Sequence, residues 1–348
     1  MTSFRKFILP ALLAFFLCPS ASFGSEIEAY RLGEGLKIPS TPLRAGGYAN
    51  VVYEDSTAAP GVFTFDDLSF FVFGDIGSRT RFFSEVENEH FMEIPLKGKA
   101  STRSNWQIER LYVDYLRGER FNLRVGKFLT PVGTWNEVHA DPLTWTVSRP
   151  VVTFAAFPEF ITGAGFFGDF AASAGEFSYF AFLQNNESIN EATGFRRTHT
   201  SYGARFRWLH PSGVEAGVPF IYYIEDEFSD RIYLTGLDVT HRVSSFELRG
   251  EGTYAAVDEG HDWTKEYGYY LQGVYGLTGK HFVVLRHEIF RARDDAQRFR
   301  AWSFGGVYKF RPQMVFKVEY QARGGGLSFE EEDVDDSDRV LASFSILL

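Results

Sequence analysis

From residue 43 onward the chain is built of short segments in which apolar and polar side chains alternate, and this two-residue period is the strongest constraint on its fold. Successive side chains of a β-strand point to opposite faces, so strict alternation marks a strand with one apolar and one polar side. In Gly213 to Glu225, Val214, Ala216, Val218, Phe220, Tyr222 and Ile224 fall on one face, with Glu215, Gly217 and Glu225 on the other. Ser244 to Ala256 sets Phe246, Leu248 and Tyr254 against Glu247, Arg249, Glu251 and Thr253. Gln313 to Arg323 sets Met314, Phe316, Val318 and Tyr320 against Lys317, Glu319, Gln321 and Arg323. The pattern predicts sixteen strands, near 43–53, 62–74, 80–92, 105–117, 121–129, 161–170, 175–184, 200–210, 213–225, 230–243, 244–256, 265–277, 280–293, 298–311, 313–323 and 338–348. Segment ends are set only to within about two to four residues, so fourteen or eighteen strands fit the same pattern.

Two sheets packed face to face would have to bury the charged sides in a dry core, where unpaired ions are prohibitively costly. A closed barrel in lipid has no such conflict, because one face meets hydrocarbon and the other a polar lumen. That also accounts for 17% aromatic residues and 33 glycines in a chain whose mean hydropathy is only −0.16. After Ser25 no apolar run approaches the roughly 20 residues a membrane-spanning helix needs. Connections alternate in length: Asp75 to Ser78, Gly118 to Arg120, Ala171 to Ala174, Pro211-Ser212, Thr278-Gly279 and Pro312 are short. Between them lie longer segments, such as Glu54 to Gly61, Glu93 to Ser104, Asn185 to His199, Val257 to Thr264 and Gly324 to Ser337. Bacterial barrels have short periplasmic turns and longer outer loops, and an even strand count brings both chain ends to the periplasmic side. The predicted fold is therefore all-β, a transmembrane antiparallel barrel over residues 43–348.

Residues 1–24 have the three parts of a secretory signal: Arg5 and Lys6, the apolar run Phe7 to Leu17, and Ser22-Phe23-Gly24 before a cleavage site. Bulky Phe16 and Leu17 ahead of Cys18 do not suit a lipoprotein signal. Cleavage after Gly24 removes the single cysteine, so neither disulfides nor Cys-ligated metal is expected. It leaves 33 basic against 45 acidic side chains, a balance that argues against nucleic acid as a partner. Residues 25–42 are read as an N-terminal periplasmic segment. At the other end Val340, Ala342, Phe344, Ile346 and Leu348 share one face, a pattern that resembles the assembly signal of bacterial outer-membrane proteins, with Leu where Phe is usual. Expected partners are outer-membrane lipid, including lipopolysaccharide, and the barrel assembly machinery, reached through this last strand.

The longest connection, Thr130 to Phe160, follows the fifth strand. Its Trp135, Trp145, Phe154, Phe157 and four prolines are too apolar for a disordered tether. Two placements are open: folded into the barrel as a constriction, or packed outside on its own aromatics as a cap. The first is expected.

The segment RVGKFLTPVGTWNEVH, Arg124 to His139, resembles the outer-membrane porin families related to the phosphate-selective porins O and P. In those a strand carrying G-[KR]-x-x-x-P-x-G leads into the constriction loop, and Gly126, Lys127, Pro131 and Gly133 stand at the matching positions. The resemblance covers roughly Trp106 to Gly165. It implies a homotrimer and a water-filled channel narrowed by loop 130–160. Phosphate selectivity in the family comes from arginines and lysines at the narrowest point. Here inward-facing positions carry nearly balanced charge, while selectivity needs rings of one sign. A general diffusion channel for small hydrophilic solutes or ions is thus expected, with an anion-selective pore as the alternative. A plugged barrel serving as adhesin, or an outer-membrane enzyme, is the reading from another class.

Candidate pore-lining cations are Arg110, Arg124, Arg205, Arg207, Arg249 and Lys317, each on the polar face of a strand; cross-strand ion pairing is the competing role. Candidate constriction residues are Trp135, Glu137, His139, Asp141 and Trp145, with Glu137 and Asp141 supplying an acidic side. His139-x-Asp141 alone is too sparse for a metal site or catalytic pair, so no metal, cofactor or catalytic residue is expected. The carboxylate-rich run Glu330 to Asp338 reads as a solvated loop, with divalent bridging to lipopolysaccharide as the alternative.

Overall fold

The computed structural model describes residues 35–103, 105–138, 140–186, 188–189, 196–293, 297–328 and 333–348. Sixteen long strands form one antiparallel sheet. They are β1 Leu43–Ser56, β2 Val62–Asp75, β3 Thr80–Pro95, β4 Trp106–Leu116, β5 Asn122–Leu129, β6 Phe160–Ala172, β7 Gly175–Asn185 and β8 Thr200–Leu209, then β9 Val214–Ile224, β10 Arg231–Val243, β11 Phe246–Asp258, β12 Trp263–Gly276, β13 His281–Arg291, β14 Arg298–Arg311, β15 Met314–Ser328 and β16 Arg339–Leu347. Each pairs with the one before it, and β16 pairs with β1, Arg339 opposite Ser56 and Leu347 opposite Tyr48. That pairing closes the barrel and leaves none of the sixteen with a free edge. Two-residue strands at Leu36–Lys37, Ser101–Thr102 and Asp333–Val334 add to β1, β3 and β15.

All sixteen predicted strands are present. One boundary differs in kind: the sequence runs 230–243 directly into 244–256, whereas Ser244 and Ser245 form a two-residue hairpin turn. Ser244 adopts φ 52° there, the left-handed backbone such tight turns require. Short connections at one end, for example 173–174, 210–213 and 312–313, alternate with longer ones at the other, for example 130–159 and 186–199.

The outer surface is that of a barrel crossing a bilayer. Phe206, Phe220, Leu237, Leu271 and Phe304 are each more than half exposed on it. At the long-loop end Tyr202, Tyr222, Tyr233 and Trp263 form a chain of ring contacts with centroids 4.8, 5.0 and 5.9 Å apart. At the short-turn end His281, Tyr308, Phe310 and Phe344 do the same at 4.7, 4.4 and 6.1 Å. An apolar band between two aromatic belts matches a hydrocarbon layer between two interfaces. Among the described residues no helix is long and apolar enough to span a membrane.

Candidate functional site: the lumen and its internal loop

The loop between β5 and β6 runs inside the barrel. Its neck is closed where the Thr130 amide donates to the Glu159 carbonyl at 2.9 Å and the Asn136 side chain donates to the Thr130 carbonyl at 2.9 Å. Gly133 then turns the chain inward at φ 66°, and a Cβ there would collide with the Glu251 carboxylate of β11. That carboxylate accepts from the Thr134 and Trp135 amides at 3.0 and 2.8 Å and from the Tyr270 hydroxyl at 2.7 Å. The Gly133 position of the motif is thus fixed by geometry: only glycine combines this backbone with so close a carboxylate.

Farther on, the loop crosses to the seam of the barrel. The 3-10 turn Asp141–Leu143 packs against β16 and β1, where Lys317 Nζ donates to the Asp141 carboxylate at 2.9 Å. The return path is held by wall carboxylates that accept loop N–H groups. Glu247 accepts from the Trp145 indole at 3.0 Å, Glu319 from the Val147 and Ser148 amides at 2.8 and 3.0 Å, and Glu288 from the Val151 amide at 2.8 Å. Arg286 donates to the Thr146 hydroxyl at 2.6 Å and the Ser148 carbonyl at 2.8 Å. A single helical turn, Val152–Ala155, then packs on β11 and β12. There the lumen face is apolar: Tyr223, Ile232, Val257, Phe290 and Phe299 enclose Val152, Ala155 and Phe157. The Tyr223 hydroxyl donates to the Ala156 carbonyl at 3.0 Å. Among the described residues, the bonds that hold the loop to the wall run to β8 through β16.

The predicted cations divide into two groups. Arg110, Arg124 and Arg207 keep 24%, 22% and 39% of their side-chain surface exposed, whereas Arg205, Arg249 and Lys317 keep 1%, 9% and 1%. Every one of the six is ion-paired: Arg110 with Glu85, Arg124 with Asp114, Arg205 with Asp238 and Glu137, Arg207 with Glu215, Arg249 with Glu247, Lys317 with Asp141. Pairing leaves little uncompensated positive field. In the loop, Glu137 sits 2.8 Å from Arg205 and 3.6 Å from Arg207. Asp141 is buried against Lys317 instead of facing an acidic opening. Trp135 is buried with its ring edge-on to Tyr270 at 6.1 Å, and Trp145 packs on Phe282 at 4.9 Å with Lys309 4.2 Å above it. His139 lies outside the described residues, as does part of the acidic run, 330–332. Among the described residues no group of three His, Cys, Asp or Glu could hold a metal.

Two features were not read from the sequence. The carboxylates Glu247, Glu251, Glu288 and Glu319 are seats for the loop; their partners lie more than 100 residues away, beyond any local pattern. The apolar lumen wall did leave a trace. At the loop end of β9, Ile221 and Tyr223 stand beside Phe220 and Tyr222, so alternation fails where both faces are covered.

A closed sixteen-stranded barrel with a long loop folded into its lumen is the architecture of outer-membrane porins. No protein-family model matches the chain. An uncharacterized protein of Aquifex aeolicus (strain VF5) is 25% identical over 379 aligned residues, which span 91% of this chain and 82% of that one. Among solved structures, the outer membrane channel DcaP of Acinetobacter baumannii superposes with a TM-score of 0.61 at 10% identity, over 90% of this chain and 99% of that one. OmpT, an outer membrane protein of Vibrio cholerae, gives 0.62 at 10% identity over 93% and 100%. OmpF of Salmonella typhi gives 0.58 at 12% identity over 88% and 97%. At such identities the likeness is one of fold.

Proposed function

We propose that this barrel sits in a bacterial outer membrane and acts as a passive channel for small hydrophilic solutes or ions, its aperture set by loop 130–160. The observation that carries this is the seating of the loop: among the described residues its bonds to the wall run to β8 through β16, while Arg110 and Arg124 on the wall of β4 and β5 keep exposed surface. A sixteen-stranded barrel encloses an aqueous lumen, so an element seated on one side narrows it without needing to fill it. Glu137 and Arg207 join Arg110 and Arg124 as residues of the aperture, while Arg205, Arg249 and Lys317 act beneath the loop. Because the arginines are paired, weak charge selectivity fits better than the phosphate selectivity that the G-[KR]-x-x-x-P-x-G resemblance would bring. Export by residues 1–24, a periplasmic role for 25–42, insertion by the assembly machinery through β16, contact with lipopolysaccharide and a homotrimeric state belong to the same proposal. Light scattering of the detergent-solubilised protein tests the trimer. The channel itself is tested by purified, folded protein in planar bilayers: discrete current steps are expected, and a barrel silent at every voltage contradicts the proposal.

A further inference from the structure

The lumen wall of β2 through β7, to which no bond of the loop runs among the described residues, is not simply polar. Strand pairing fixes which side chains face inward. Lys317, which holds the loop, lies opposite Ser343, Tyr48 lies opposite Ser69, and Ser69 donates to Glu85 on β3 at 2.6 Å. In the same layer Phe73 is opposite Phe83, and Phe83 is opposite Tyr112. From the other direction Arg205, paired with Glu137 of the loop, is opposite Phe180, and Phe180 is opposite Phe167. These rings form a track in two halves. Phe71, Phe73 and Phe83 lie 6.0 to 6.3 Å from one another, Phe83 stacks on Tyr112 at 5.3 Å and 11°, and Phe167 stacks on Phe180 at 5.9 Å and 11°. The Arg124 guanidinium bridges the two halves, 3.8 Å from the Tyr112 ring and 5.4 and 5.6 Å from Phe167 and Phe180. Arg110 lies 4.7 Å over Phe83.

All six rings of this track are partly exposed. Partly exposed phenyl rings on a lumen wall carry a solvation cost that polar residues would not. The wall is shaped for them: Gly165 faces the Phe180 ring so closely that a Cβ would stand 2.6 Å from it. The two guanidiniums have their charge matched by buried Asp114 and Glu85, with Arg124 donating to Asp114 at 2.7 and 2.9 Å. Flat π-faces and flat, charge-compensated guanidiniums together favour a planar ring with little net charge, since offset stacking on both needs only a flat π-partner.

We infer that this track is a binding surface for solutes carrying a planar aromatic ring, which pass the aperture by stacking along β2 to β7. The inference rests on the channel assignment above. The test is block of ion current through the full-length protein in planar bilayers by L-tryptophan, with L-leucine and maltotriose as comparison solutes. Open current in salt alone reports the channel, and block reports the track. Tryptophan is expected to interrupt the current reversibly at concentrations where leucine and maltotriose do not. Phe83→Leu and Phe180→Leu, which keep apolar bulk but not the ring, should raise the half-blocking concentration about three- to tenfold, the range one aromatic pair contributes. Heat-modifiable mobility shows that these variants fold. A conducting channel that tryptophan and leucine affect alike, that maltotriose alone blocks, or whose block survives both substitutions overturns the track and leaves the channel assignment intact. A silent barrel overturns both.

Discussion

The ammonium of Lys317 on β15 is clamped on the tip of the internal loop. It lies 2.9 Å from the Asp141 carboxylate, 2.6 and 3.0 Å from the Asp141 and Thr146 carbonyls and 2.8 Å from the Thr144 hydroxyl, four acceptors around three N–H donors. Ser343 on β16 donates to the other Asp141 oxygen at 3.3 Å. Removing one member of a buried pair strands the other, at a cost of about 3 to 5 kcal/mol. Lys317→Met is therefore expected to free the tip from the seam, giving noisier single-channel current with a higher mean. A Lys317→Met channel as quiet as the wild type would show that the clamp does not hold the loop.

Gly133 takes the loop inward at φ 66° beneath the Glu251 carboxylate. Left-handed backbone costs an ordinary residue about 1–2 kcal/mol, and the collision with Glu251 adds to that. In Gly133→Ala, amides of the 130–150 segment should exchange with deuterium faster, while those of β11 and β15 stay protected. Equal exchange in both proteins would mean that the turn tolerates a side chain.

Glu137 compensates Arg205 and Arg207, and Arg207 is the more exposed of the two. Glu137→Gln removes one of the three carboxylates that face these two arginines, so the reversal potential in a potassium chloride gradient should move toward that of chloride. The wild-type reversal potential should lie near zero. An unchanged reversal potential would place Glu137 away from the ion path.

The barrel was legible because its cause is local: each strand carries its own two-residue period, and lipid-facing residues such as Phe220 and Leu237 never depend on distant sequence. The loop was legible through its length, its prolines and the Gly133 motif. What joins loop to wall was not, because Glu319 and Ser148, or Arg286 and Thr146, meet only once the barrel has closed. For the same reason the six cations looked alike in sequence. Their polar-face positions are equivalent along each strand, and only the route of the loop decides that Lys317 is sealed while Arg207 is not.

Single-channel conductance of the intact protein against a variant lacking most of Trp135 to Val152 tests most directly whether the internal loop sets the aperture. The barrel pairs through its sixteen strands without this segment, so the variant should fold and show heat-modifiable mobility. Its conductance should exceed that of the intact channel, and larger sugars should enter liposomes that contain it. A folded variant with unchanged conductance and unchanged size limit would contradict the assignment of the aperture to the loop.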